Sequence, residues 1–229
     1  RDTLSLHDAL PIFISCRLAP QDANRVYYSI GRLADDTAEP QGIVCDLTAC
    51  PVCGGKLEYD YCHLRHLGHA TCKSCGFTNP EPDYELTALD REAHTFTVCE
   101  RSHDGAPTHT YRYGNYSITN LYNLFSTVVV ARELGLSAET IGASLERGIN
   151  VTALRYTEEE AGGKRLVAVA SKGENSTATS VALDTIRKEP GSKAVMVMLA
   201  DAHKAANPKK TKYIGWYYQT DFEYLKDPS

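Results

Sequence analysis

The sequence has no excess of positive charge. Its 24 Lys and Arg residues are outweighed by 29 Asp and Glu, for a net charge of −5, which argues against a general nucleic-acid-binding face. No apolar run approaches the ~20 residues that cross a bilayer as a helix, so no transmembrane segment is expected. Short motifs that announce a reaction are also missing. There is no GxxxxGK(S/T) phosphate loop, no GxSxG nucleophile elbow and no HExxH, and so no visible nucleotide cradle, serine-hydrolase turn or zincin helix. What remains is a globular composition, 42% hydrophobic and 23% charged over 229 residues. That is enough for one large or two modest domains.

Cysteine stands out against that background. Cys50-Pro-Val-Cys53 and Cys72-Lys-Ser-Cys75 are CxxC pairs, each followed by glycine, Gly54 and Gly76. A CxxC turn aims two thiolates at one point, and a following glycine gives the backbone room to turn. Two such turns predict a tetrahedral four-thiolate zinc site. The competing readings are two disulfides or idle thiols. With four thiolates no coordination position stays open for water or substrate, so the expected zinc is structural. Cys16, Cys45, Cys62 and Cys99 are scattered without pairing spacing. Free cysteines beside a zinc site predict a reducing, cytoplasmic setting.

Residues 1–12 (RDTLSLHDALPI) read as a translated sequencing adapter and are set aside. The remainder reads as a fragment cut at one or both ends. Strands are expected over 25–30, 84–89, 95–100 and from 110 to 113, with a short one at 42–45. The zinc module spans 48–80, and Leu57, Tyr59 and Tyr61 alternate as in a hairpin strand. Residues 117–134 predict a helix, because Ile118, Leu121, Tyr122, Phe125, Val128 and Val129 recur at helical spacing. Ser137 then caps a second helix. Further on, the apolar runs 165–170 and 193–199 flank a helix over 176–188. They predict two buried parallel strands joined by a right-handed crossover, with a domain boundary near 150.

Candidate chemistry is sparser. His63, His66 and His69 cluster inside the zinc module. With no acidic residue at matching spacing, they read as solvated loop histidines rather than a second metal site. Asn120 and Asn123 share one face at the start of the first helix, either as capping groups or as readers of a ligand. The loop 172–175 and the pair Asp201 and His203 fall at the carboxyl ends of the two expected parallel strands, where α/β sheets bind ligands.

The segment from Cys50 to Phe77, CPVCGGKLEYDYCHLRHLGHATCKSCGF, followed by Asn120-Leu-Tyr-Asn123, resembles the MurT family, the Mur ligase-like subunits of bacterial lipid II isoglutaminyl synthase. Gly215 to Leu225, GWYYQTDFEYL, is similar to that family's Trp–aromatic–Asp–Phe–Glu signature. The resemblance implies an α/β fold. It comprises the C-terminal part of a Mur ligase central domain (13–150) with a four-cysteine zinc-ribbon insert (48–80), then a partial Rossmann-like domain (151–229). It implies ATP and Mg²⁺ as cofactors of the full-length protein, besides structural zinc on Cys50, Cys53, Cys72 and Cys75. Lipid II is the implied substrate and a GatD-like glutamine amidotransferase the implied partner, acting at the inner face of the bacterial membrane. Asn120 and Asn123 match the motif near the nucleotide. Asp201 is the candidate for the Asp that completes the partner's Cys–His pair. Two stretches depart from the family: 203–215 replaces a short Asp-rich loop, and Glu174-Asn-Ser-Thr177 replaces an Asn-Pro-Ala-Gly stretch. They mark a divergent branch or a different mode of partner activation. Another Mur-type amide ligase and a zinc-ribbon binding module are the alternatives.

Lacking a phosphate loop, residues 13–229 alone should show no ATP-dependent turnover. A coupled ADP-release assay on the purified fragment checks this, and robust turnover would overturn the fragment reading.

Overall fold

Residues 25–43, 49–63, 67–113, 118–147, 156–169, 176–197 and 215–226 are described by the computed structural model of the chain. They fall into two compact units, residues 1–41 with 45–151 and residues 42–44 with 152–229. None of the described helices is long and apolar enough to cross a membrane.

In the first unit, β1 (Tyr28–Ile30) leads to a hairpin of β2 (Leu57–His63) and β3 (Leu67–Cys72). There follow β4 (Tyr84–Asp90), β5 (Thr95–Glu100), β6 (Thr108–Arg112), α1 (Ile118–Glu133) and α2 (Ala138–Glu146). One sheet has the order β1-β4-β5-β6. β1 runs parallel to β4, Tyr28 opposite Tyr84, and the other pairs are antiparallel. The cysteine-bearing hairpin is a separate two-stranded sheet, placed in the crossover between β1 and β4.

Period-two alternation puts Tyr84 and Leu86 of β4, and Phe96 and Val98 of β5, on one buried face with Tyr111 of β6. Against it α1 packs Leu121, Leu124, Phe125, Val128 and Val129, the stripe expected of a helix with one apolar face. α2 adds Ala138, Ile141 and Leu145. Its start is capped as expected, the Ser137 hydroxyl accepting the Thr140 N–H at 3.2 Å.

The same alternation carries Glu100 onto the core face, fully buried. Arg132, in the last turn of α1, answers it with two bonds, Nε to Oε1 at 2.6 Å and Nη2 to Oε2 at 2.8 Å. His103 and His109 approach the same carboxylate at 3.7 Å. Bonding to Arg132 holds the Glu100 carboxyl below its ordinary 4.5 despite burial.

The second unit corrects the expected crossover. Over 165–169 the run does not supply a buried parallel strand, and 170 lies outside the described residues. β8 (Lys164–Val169) pairs antiparallel with β7 (Tyr156–Ala161), and Leu166 is 59% exposed. The turn explains the pairing: Gly162 and Gly163 have φ of +59° and +69°, the two consecutive positive values of a type I′ hairpin. α3 (Ser176–Lys188) forms as expected. Residues 193–197 form no strand, and Met196 is 80% exposed. Lys193 instead caps the end of α3, its Nζ donating to the carbonyls of Ile186 at 2.9 Å and Arg187 at 3.1 Å. Residues 198–199 lie outside the described residues. Two short 3-10 turns follow, Gly215–Gln219 and Phe222–Leu225. Asp221 between them donates its N–H to the Ser180 hydroxyl of α3 and accepts the Ile43 N–H, both at 2.9 Å. The expected short strand at 42–45 is absent at Gly42 and Ile43, and 44–45 lie outside the described residues.

Arg132→Met should cost about 3–5 kcal/mol at pH 7, because it strands a buried carboxylate. Glu100's lowered pKa means that the pair's contribution is complete above about pH 4.5 and is lost as pH falls through the folded value. The deficit in urea unfolding should therefore shrink toward pH 3–4. A deficit independent of pH would overturn this assignment.

Candidate metal centre

The two CxxC turns are near copies of one another. Each first cysteine donates its N–H to the carbonyl five residues on, Cys50 to Gly55 and Cys72 to Phe77, both at 2.7 Å. Each also accepts the N–H of the glycine four residues on, Gly54 at 2.9 Å and Gly76 at 2.8 Å. Those glycines have φ of +74° and +72°. A Cβ at either position would meet nothing within 4 Å. Backbone angle, not space, is what calls for glycine there.

These turns bring four sulfurs together. Cys50 Sγ lies 3.7 Å from Cys75 Sγ, and Cys53 Sγ lies 3.5 Å from Cys72 Sγ. All four fall within 4.8 Å of one another. A tetrahedral Zn–S₄ centre with bonds of about 2.3 Å has edges of about 3.8 Å, so the cluster has the size of the ion it would hold. A disulfide needs about 2.05 Å, and the four cysteines are free thiols. N–H groups of Val52 and Gly55 point at the sulfurs of Cys50 and Cys53, both at 3.4 Å. Among the described residues this is the only group of three or more His, Cys, Asp or Glu side chains that could share an ion.

The protons on the thiols are shared unevenly. At Cys72 burial opposes the thiolate. The N–H groups of Cys75 and Ser74, with the neighbouring thiols, outweigh it and bring the thiol down to about 6. At Cys75 the Phe77 N–H favours the thiolate, but Cys53, desolvation, Cys50 and Cys72 together push it up to about 12. Four sulfurs this close do not all ionise without a cation. Cys50 and Cys72 are buried and Cys53 and Cys75 exposed, so the cluster sits at the edge of the hairpin.

The remaining expected site residues are placed less closely. Asn123 is exposed on α1, and the Asn120 backbone is helical in the same element. Asp201, His203 and loop 172–175 lie outside the described residues, as do Cys16, Cys45 and His66. Cys62 and Cys99 are buried as small apolar groups.

Of the insert's histidines, His63 and His69 lie in β2 and β3 rather than in loops. His63 is buried and its Nε2 lies 2.6 Å from the Tyr122 hydroxyl. His69 Nδ1 lies 2.5 Å from Asp60 Oδ2 across the hairpin. A bulge between Tyr59 and Tyr61 shifts the register of β2, so the alternation that fits Leu57 and Tyr59 does not forecast Cys62 and His63. Counting acidic residues along the sequence missed Asp60, which reaches His69 only through strand pairing.

No family model matches the chain. It is 28% identical over 202 residues to the protein named lipid II isoglutaminyl synthase (glutamine-hydrolyzing) subunit MurT of Staphylococcus aureus strain COL, covering 87% of this chain and 42% of that one. The figures for strain N315 are the same. The MurT subunit of Streptococcus pneumoniae strain ATCC BAA-255 / R6 is 27% identical over 178 residues, covering 78% of this chain and 37% of that one. The resemblance to MurT expected from the sequence is thus borne out. The chain spans less than half the length of these curated relatives. A pseudomurein peptide ligase type C from Methanothermus fervidus is 24% identical with a TM-score of 0.46, covering 57% of this chain and 24% of that one.

Chelation should raise amide hydrogen exchange in β2 and β3 before the β1-β4-β5-β6 sheet loosens, and Cys72→Ser should do the same without chelator. Unchanged protection in metal-free protein would rule out a metal ion here.

Proposed function

We propose that the chain is part of a MurT-like subunit of a glutamine-hydrolysing amidotransferase that converts the D-glutamate α-carboxylate of lipid II to D-isoglutamine. The observation that supports this most is the breadth of the similarity. An alignment covering 87% of the chain necessarily takes in the cysteine insert and reaches into both compact units.

The chemistry follows from the inertness of a carboxylate toward ammonia. Its charge is delocalised and its oxygen is a poor leaving group. A carboxylate oxygen attacks the γ-phosphorus of ATP, the bond to ADP breaks, and an acyl phosphate forms. Ammonia then attacks the carbonyl carbon, a proton leaves the nitrogen, and phosphate departs with the carbon–oxygen electron pair. A GatD-like partner would release the ammonia from glutamine. Catalysis of this kind is mostly positioning and the offsetting of phosphate charge.

In this reading Asn120 and Asn123 stand near the nucleotide, and Asp201 orients the partner's Cys–His pair. Cys50, Cys53, Cys72 and Cys75 would hold zinc. A closed four-thiolate ion supplies structure, with no open position for a reacting group. Among the described residues no carboxylate set is placed to hold Mg²⁺, and none is assigned to it.

The test uses the full-length gene product with its amidotransferase partner, lipid II, ATP and either glutamine or ammonium. Mass spectrometry reads the replacement of a carboxyl oxygen by nitrogen. Asp201→Asn should lower glutamine-dependent amidation on the order of 10²-fold or more and leave ammonium-dependent amidation intact. Equal loss with both donors would overturn the role of Asp201, and no amidation by the wild-type complex would overturn the function.

A further inference from the structure

The insert is fastened to the body of its unit through β2. Thr37 and Cys62 exchange two backbone bonds, at 2.9 and 2.7 Å, and the Tyr61 hydroxyl reaches the Ile30 carbonyl at 3.4 Å. Beside them lies a chain of three polar groups that the metal site does not use, with the Asp36 and His63 side chains buried and Tyr122 half-buried. The Asp36 side chain is 1% exposed, and its Oδ2 accepts the Leu33 N–H at 2.7 Å. That same oxygen lies 3.7 Å from His63 Nδ1, while His63 Nε2 lies 2.6 Å from the Tyr122 hydroxyl. Tyr122 belongs to the first turns of α1, next to Asn123.

The Asp36 carboxylate and the Tyr122 phenol set the direction of these contacts. Burial, with Tyr61, Tyr28 and Asp36 nearby, pushes the Tyr122 phenol far up, so it stays protonated and can donate. The Asp36 carboxylate facing Nδ1 favours the imidazole proton there, and Nε2 of a neutral imidazole then accepts from the Tyr122 hydroxyl. At 3.7 Å the Asp36 contact is a charge–dipole contact rather than a direct hydrogen bond. Asp36 Oδ1 is buried without a hydrogen-bond partner among the described residues. The imidazole instead faces Oδ2, the oxygen that also accepts the Leu33 N–H. The rings continue outward: Tyr122 to His63 5.9 Å, His63 to Tyr61 5.7 Å, Tyr61 to His69 6.1 Å. They form a row from the helix to the surface of the insert.

The opposite end of β2 is where the metal would act, since Leu57 pairs with Cys72. A two-stranded hairpin is marginal in water by itself, so an ion that closes it also fixes where His63 stands. We propose that His63 is a positioning residue. Through Asp36 and Tyr122 it ties the metal-held insert to the first turns of α1, so that metal occupancy sets the order of the helix start that carries Asn120 and Asn123. This rests on the metal reading of the four cysteines, not on the amidation chemistry.

The experiment compares hydrogen exchange at amides 122–125 in the whole chain, with and without chelator, alongside metal content by atomic absorption. In wild-type protein, chelation should speed exchange at β2, β3 and residues 122–125 together, by about tenfold at the helix start. His63→Ala should keep its metal yet show the faster exchange at 122–125 from the outset, with no further change on chelation. Tyr122→Phe should reproduce this while β2 and β3 stay protected. His63→Gln, which keeps an acceptor where Nε2 stood, should retain most of the protection. The glutamine and phenylalanine variants carry the test if the alanine variant fails to fold. Ring ¹⁵N spectra should show the His63 proton on Nδ1; a proton on Nε2 overturns the relay. Metal-bound protein whose helix start ignores His63→Ala overturns this inference alone. Wild-type protein that protects β2 and β3 without metal overturns the metal reading and this inference with it.

Discussion

Four thiols that converge within 4.8 Å set the terms for residues 49–80, because the hairpin between them has almost no interior of its own. Its buried cluster is Cys50, Leu57, Ala70 and Cys72, with Tyr59 and Phe77 packed alongside. Two of those four are ligand candidates themselves. Apolar burial on this scale cannot offset the entropy of ordering some thirty residues at roughly 1–2 kcal/mol each. A cross-link is what such a small module needs. The identical hydrogen-bond patterns of the two CxxC turns are the backbone counterpart of that need. Each turn closes locally, and together they present four sulfurs at the spacing of a tetrahedron.

The position of the insert follows from the sheet. β1 and β4 are parallel neighbours, and parallel strands require a long crossover that leaves one end of the sheet and re-enters at the opposite end. A self-contained module can sit in such a connection without disturbing strand pairing, provided its own ends lie close together. The Thr37–Cys62 bridge, the Tyr61–Ile30 bond and the Asp36–His63–Tyr122 chain are then the means by which that module is oriented rather than merely tethered. The body of the unit keeps its own core, in which Phe125 and Val128 fill the face lined by Leu86, Phe96 and Val98. A costly feature of that core, the buried Glu100, is answered at the far end of the same helix by Arg132.

Much of this was legible where local rules act alone. The apolar period of α1, the Ser137 cap and the strand from Thr95 to Glu100 are decided within a few residues, and all three form as read. The cysteine spacing was legible for the same reason, since a CxxC turn is a local object. The misreadings came where a partner strand decides. The apolar run 165–170 reads equally well as a buried parallel strand or as one arm of an exposed hairpin. Only the two glycines at 162–163 separate these readings. At 193–197 the apolar residues carried the expectation, while the lysine that begins the run is held by the end of α3. His63 was missed because a bulge at Asp60 reverses the alternation, and because Asp36 and Tyr122, its partners, lie 27 and 59 residues away along the chain.

A closed four-sulfur site in a chain that resembles a ligase subunit is easily mistaken for its chemical centre. Coordination chemistry argues otherwise, because an ion with four thiolates can neither polarise a carboxylate nor bind a phosphate. The influence such a site can have is mechanical: it fixes where a side chain several residues away must stand. Here the strand that the cysteines close ends on His63, and His63 ends on the helix that carries the two asparagines. Activating a carboxylate with ATP places its demand on the alignment of three reactants rather than on any strongly reactive group. On the proposed function, a structural ion in this position would meet that demand in the only way open to it, by removing freedom from the helix that carries the two asparagines.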